Sequence, residues 1–362
     1  MPSNRSLVLS ATAPPQAPEA AVPTPGGPPG PAARRTLNRG AGLAVAAVLL
    51  LAVLVLSICF GAKSLSPGQV WHGLADSGSP YYTVVHRMRL PRTLLGLIVG
   101  LALGLAGAVM QALTRNPLAD PGLLGINAGA SAAVVTSIWL FGIGTFEGYI
   151  WFALGGAAIA TTAGYLVGGG RSATPVRLAL AGAALNATLF SFVSAAMLLD
   201  SASLEAMRFW TVGSLADATS STVVRVLPFV AVGLVLALVL ARPLNALALG
   251  EDSARALGSR PTAVRAAAIV AVTLLCGAAT AACGPIVFVG LMVPHVVRTI
   301  TGPDLRWLLP YCAVLAPVVL LGADVLGRVL ARPGEIQVGV VTSVIGGPVF
   351  LYFLRRAKAV RA

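Results

Sequence analysis

The sequence predicts an all-α membrane protein, a bundle of ten transmembrane helices, on three observations. Charged residues are only 10% and hydrophobic residues 57% of the 362 positions, where a soluble domain carries about 25% charge. Uncharged runs long enough to cross the hydrocarbon core as a helix recur along the whole chain. The basic residues segregate into alternate loops, as the positive-inside rule requires. There is too little charge to coat the two or more domains that a soluble chain of this length would form, which excludes an ordinary soluble enzyme. The net charge of +13 needs no nucleic acid once most of it lies against the cytoplasmic leaflet.

Residues 1–39 read as a disordered cytoplasmic tail. The Pro-, Ala- and Gly-rich stretch between Thr12 and Ala33 cannot bury enough apolar area to offset the ordering of its backbone. Arg34, Arg35 and Arg39 then precede the uncharged run 40–62, whose 23 residues make it a first, uncleaved span. A cleaved signal has a shorter apolar region of about 7–15 residues. Further uncharged runs follow at 93–114, 121–146, 148–170, 178–199, 226–241, 307–323 and 336–354. The run 266–297 holds 32 residues without Asp, Glu, Lys or Arg, too many for one untilted helix. Cys283-Gly284-Pro285 interrupts it, so it divides into one span ending near Ala282 and another starting near Ile286.

Loop charge tests this count. With both termini inside, 17 of the 25 basic residues fall on the cytoplasmic side and eight outside: Lys63, Arg87, Arg89, Arg92, Arg208, Arg225, Arg328 and Arg332. Treating 266–297 as one crossing would put the basic tail 356–362 outside, against the rule. The domain is therefore placed at 40–355, with a cytoplasmic loop at 242–261.

Most spans carry no ionisable residue near their centres. Asp324 and Arg225 fall at the outer ends of theirs. A proton-driven transporter needs an intramembrane relay, and nothing resembles one. Walker A, HExxH and GxSxG patterns are also absent. Such a chain is a passive channel, a scaffold, or a machine whose energy comes from a partner. Four cysteines without CxxC spacing, and three scattered histidines, point to no disulfide framework and no metal site.

Three loop features stand out. In 242–261, Asn245, Glu251-Asp252, Gly250, Gly258 and Pro261 carry cap and breaker chemistry that suggests two short helices at the membrane surface. Asn116-Pro117-Leu118-Ala119-Asp120-Pro121 is a punctuated cytoplasmic turn. Gln111, polar within an apolar run, either lines a path or hydrogen-bonds a neighbouring helix.

The segments RMRLPRTLLGLIVGLALGLAGAVMQALTRNPLADPGLLGINAGA from Arg87, RPLNALALGEDSARALG from Arg242, GPIVFVGLMVPHVVRTITGPDLRWLLP from Gly284, ADVLGR from Ala323 and GEIQVGVVTSVIGGPVF from Gly334 together resemble the FecCD family of ABC-importer permeases. These serve ferric siderophores, haem and vitamin B12. The resemblance runs from about residue 40 to 355. It implies the type II ABC importer fold, ten transmembrane helices, no catalysis and no cofactor in this chain. ATP and magnesium would sit on two cytoplasmic ATPase subunits. A second permease, identical or related, would complete the path, and an extracytoplasmic binding protein would deliver substrate, with a ferric siderophore ahead of haem or vitamin B12. It also implies ATPase coupling near Ala254, Leu257 and Gly258, with Glu251 and Arg255 as rim charges, and docking of the binding protein by Arg89, Arg92 and Arg328 through its carboxylates.

Overall fold

The computed structural model describes residues 31–61, 63–170 and 174–359. The expected tail over 1–30 and the last residues of the basic carboxy terminus, 360–362, lie outside the described residues. Thirteen helices make up the described chain: α1 (Pro31–Cys59), α2 (Pro67–Ala75), α3 (Leu90–Thr114), α4 (Ile126–Phe141), α5 (Phe146–Val167), α6 (Pro175–Leu199), α7 (Ser201–Trp210), α8 (Ser220–Ala248), α9 (Glu251–Ala256), α10 (Pro261–Cys283), α11 (Val289–Thr301), α12 (Leu305–Leu330) and α13 (Val338–Ala359). A π-helical turn, Val84–Arg89, leads straight into α3, and a 3-10 turn, Pro121–Leu124, precedes α4.

Among the described residues seven helices are long and apolar enough to cross a membrane: α1, α3, α5, α6, α8, α10 and α12. The helices α4, α11 and α13 are apolar but shorter over the stretches Ile126–Phe141, Val289–Thr301 and Val338–Tyr352. The geometry explains why. The chain does not restart at the membrane surface after α3. Asn116 and Asp120 accept from the N–H groups of Leu118 and Gly122, folding the chain back on itself. Pro121 thereby returns to the level of Gly290 and of the Leu103 carbonyl in the middle of α3. The helix α4 therefore begins inside the bundle. Segment 284–288 does the same for α11, whose Gly290 packs directly on Gly107 of α3. Gly107 has no room for a side chain, because its Cβ would overlap the Gly290 carbonyl.

The helix α3 is the central post. It packs against α8, α10, α11 and α12, and 78% of its most apolar window is buried, against 17% for α1 and α6. Small residues allow this close approach of backbones. Cys59, Cys276, Cys283 and Cys312 are free and buried.

Several expected boundaries move. The first helix begins at Pro31, ahead of Gly40, because proline suits the first helical position and Ala, Arg and Leu favour helix. The last runs to Ala359 rather than 355. Loop 242–261 contains one short helix, not two, since α8 continues through Pro243 to Ala248. Asn245 caps no helix of its own. Its side chain donates to Asp304 (2.7 Å) and accepts from the N–H of Leu305 (3.1 Å), fastening the start of α12. The expected break at Cys283-Gly284 is present, with Gly284 at φ +74° ending α10.

Candidate functional site

Three regions carry polar chemistry in this apolar bundle. The first lies where α1 ends and the π turn meets α3. Arg89 and Arg92 stand one helical turn apart and so share a face. Arg328 projects from the last turns of α12. All three line one cavity of about 360 Å³, together with Lys63, Ala216 and Glu335.

None of the three guanidinium groups is loose. Arg89 Nη1 donates to the carbonyls of Ile58 (2.6 Å) and Cys59 (2.7 Å), and its Nη2 to that of Lys63. These carbonyls lie at and beyond the carboxy-terminal end of α1, where a cation also meets the favourable end of the helix dipole. Arg92 donates Nε and Nη2 to Asp324, the latter at 2.8 Å, and Nη1 to Glu335 at 2.7 Å. Arg328 Nη2 pairs with the other Asp324 oxygen at 2.8 Å, while its Nη1 reaches the carbonyls of Ser57 (3.1 Å) and Phe60 (2.7 Å). Ser57 also accepts from Arg328 Nη2 and contacts Thr93. Asp324 is fully buried and Glu335 is 34% exposed at its side chain. Three arginines face two carboxylates, so the cavity keeps a positive excess, with Lys63 on its rim.

Sequence reasoning placed the three arginines together at the outer end, as docking groups. The structure places them in the wall of a cleft, each already bound within the chain. It missed Asp324, Glu335 and Ser57 as their partners. The spacing of Asp324 and Arg328, four apart on one helix, was a signal for that pair alone.

The second region lies around α9, at the opposite ends of α8 and α10 from the break at Gly284. Gly250 (φ +115°) separates α8 from α9, and Gly258 (φ +77°) follows α9. Ser259 N–H returns to the Ala254 carbonyl, closing the helix end. Arg255 pairs with Glu251 and Asp252, both at 3.1 Å, and Glu251 also pairs with Arg265. Leu257 is 67% exposed, as is Leu249 at 69%, which sequence reasoning did not single out. Ala254, expected near the same contact, is fully buried within α9. Arg115 reaches the Leu247 carbonyl, so the turn after α3 is tied to the end of α8. Gln111 takes the interhelical role: it donates to the Leu291 carbonyl (3.0 Å) and accepts from Arg298 (3.2 Å).

The third region is an open cleft of about 670 Å³ between the turn before α4, α6 and α13. Asp120, Asn127, Asn186, Phe190, Val287 and Ser343 are among its walls. Asn186 donates to the Gly122 carbonyl, and Asn127 accepts from Thr280, so both amides are held in place. Among the described residues no group of three or more His, Cys, Asp or Glu could hold a metal ion.

The sequence profile of the FecCD transport family matches residues 49–356. The chain belongs to the FecCD transport family. It is 46% identical over 319 residues to the ferric enterobactin transport system permease FepD of Escherichia coli, covering 87% of this chain and 95% of that one. It is 37% identical over 329 residues to the hemin transport system permease HmuU of Yersinia pestis, covering 87% and 96%. A solved metal-chelate type ABC transporter in an inward-facing conformation superposes with a TM-score of 0.77 at 27% identity, over 88% of this chain and 99% of that one. The all-α multi-pass fold is thus that of an ABC-importer permease. FecCD permeases are non-catalytic. They work with a second permease, ATPase subunits that bind ATP and magnesium, and a substrate-binding protein.

Proposed function

We propose that this permease passes a ferric siderophore inward, and that it crosses the membrane ten times with both termini cytoplasmic. The substrate reading rests on the near full-length similarity to a ferric enterobactin permease. Haem is the second reading, supported by the hemin permease at lower identity, and vitamin B12 the third, supported by a B12 permease of Citrobacter koseri at 36%. The crossing count is supported by the seven long spans and by the internal starting points of α4 and α11, which let a short helix complete a crossing. The cleft between α6 and α13 supports a half-path that a second permease would close. A pull-down with a tagged chain separates an identical partner from a related one. The decisive measurement is uptake of labelled ferric siderophore, haem and cobalamin by a strain lacking this chain and by its complemented counterpart. Restored uptake of haem or cobalamin without siderophore would overturn the substrate reading.

The arginine cavity is proposed as the docking site for an acidic patch of the binding protein, through Arg89, Arg92 and Arg328 and the rim cation Lys63. Its positive excess supports this, and carboxylate is the chemistry that a guanidinium fork receives best. Reversing all three arginines would instead break the end of α1 and the Asp324 pairs. Lys63→Glu is the cleaner test, because Lys63 lies exposed on the rim. Binding of the purified binding protein to the permease–ATPase complex in nanodiscs should weaken several-fold, and wild-type binding should fall as salt rises. On the cytoplasmic side, Leu249, Leu257 and Gly258, with Glu251 and Arg255 at the rim, are proposed to meet the ATPase, and Ala254 to position them.

A further inference from the structure

The contact between Arg92 and Glu335 differs from every other polar contact in the arginine cavity. Asp324 is sealed in the protein and serves two arginines at once. Glu335 is reached by water, binds only the remaining edge of the Arg92 fork through Nη1, and belongs to the irregular segment between α12 and α13. The same cavity is walled by Ala216 from the segment after α7. Both segments continue directly into the wall of the larger cleft, through Thr211 and Val212 on one side and Gly339 and Val340 on the other. They are stitched together by the Gly339 N–H donating to the Gly213 carbonyl at 3.0 Å. A second stitch, from Ile336 N–H to the Gly327 carbonyl at 3.3 Å, holds the segment to α12.

We propose that Glu335 is an internal stand-in for the docking carboxylate: in the undocked permease it occupies Arg92 Nη1, and a carboxylate of the binding protein displaces it. This inference rests on the docking reading above and extends it. Displacement exchanges one charge-assisted hydrogen bond for another, so it leaves no buried cation unpaired. It also frees the segment that starts α13, which lines the cleft. Glu335 is thus a positioning residue that ties the state of the docking cavity to the outer mouth of the cleft. A competitor that holds the site about nine-tenths of the time weakens apparent affinity about tenfold, and removing it restores that factor.

The test uses the assembled permease–ATPase complex in nanodiscs and the purified binding protein of the same transport system. Glu335→Gln keeps the size and shape of the side chain and removes the charge. It should tighten docking by about tenfold. A Glu205→Gln control changes net charge equally at an exposed site outside the cavity, where Glu205 pairs with its neighbour Arg208. It should change affinity less than about twofold. Hydrogen exchange over residues 331–338 should rise on docking in the wild type, and should already be high, with no further rise, in Glu335→Gln. Equal tightening by the two glutamine variants would mean a general field effect and would overturn the stand-in. Unchanged affinity in Glu335→Gln, with docking still weakened by Lys63→Glu, would also overturn it while leaving the docking site in place. If neither Glu335→Gln nor Lys63→Glu alters binding, the docking reading falls and this inference falls with it.

Discussion

Asp324 is the residue on which the arginine end of the bundle depends. It is fully buried and holds Arg92 and Arg328, which themselves grip α1 and the α12–α13 segment. Removing one partner of a buried ion pair leaves an uncompensated charge and costs about 3–5 kcal/mol. Asp324→Ala should therefore lower the thermal unfolding midpoint of the purified permease sharply. Glu205→Ala breaks an exposed pair and should cost less than about 1 kcal/mol by the same assay. The sequence displayed Arg89, Arg92 and Arg328 as sparse outer cations but not their partners. Asp324 lies 232 positions from Arg92, and no local pattern links residues that only tertiary packing brings together. Ala254 shows the same limit: the sequence marks it as a small residue suited to close packing, but its complete burial is set by tertiary structure.

At the scale of helices, ends and close crossings decide the geometry. Breaks were readable where backbone chemistry is local, as at Gly250, Gly258 and Cys283-Gly284. The single helix α9 was harder, because Asn245 carries cap chemistry yet lies, with Pro243, inside α8. In a bundle, neighbouring helices tolerate such a proline by re-satisfying the freed carbonyl. Gly258 has open space around it but a positive φ. Gly258→Val should therefore cost about 1–2 kcal/mol locally through backbone strain and reduce the ATPase subunit retained on an affinity-tagged permease. Full retention and full uptake would count against coupling at α9. Gly107→Leu should destabilise the α3–α11 crossing by about 1–3 kcal/mol, visible as lost monodispersity and a lowered unfolding midpoint. Asp304 at the start of α12 is a milder case. Burial alone would raise its carboxyl, but hydrogen bonds from Arg306 and Asn245 outweigh this and hold it below the ordinary carboxylate value. A lowered value in the folded state stabilises at neutral pH, and that contribution is lost as acidity rises from about pH 4 downward. Asp304→Asn should flatten that part of the stability profile.

Across the whole molecule, the arrangement of polar groups follows the membrane. Charge gathers at the arginine cavity and at the loop that holds α9, while the helices between them pack through glycine and alanine. Composition and loop sign were enough to read an all-α multi-pass bundle. They did not reveal that α4 and α11 start from within it, because a run of uncharged residues looks the same whether it begins at the surface or at mid-depth. The proposed topology predicts that a cysteine placed by Ala357→Cys reacts with an impermeant maleimide only after cells are opened. Ready labelling of intact cells would remove the ten-crossing count.

The four native thiols bear on how such measurements can be made. All are buried within the bundle, at the end of α1, along α10 and in α12. A bulky aqueous reagent has no access to them while the fold is intact, so the wild-type chain serves as its own blank. Spectroscopic pairs, for example across the α12–α13 segment and the rim near Lys63, can be introduced without first stripping out native sulfur. The opening of the outer mouth can thus be followed as a distance in a protein whose packing has not been disturbed to make it visible.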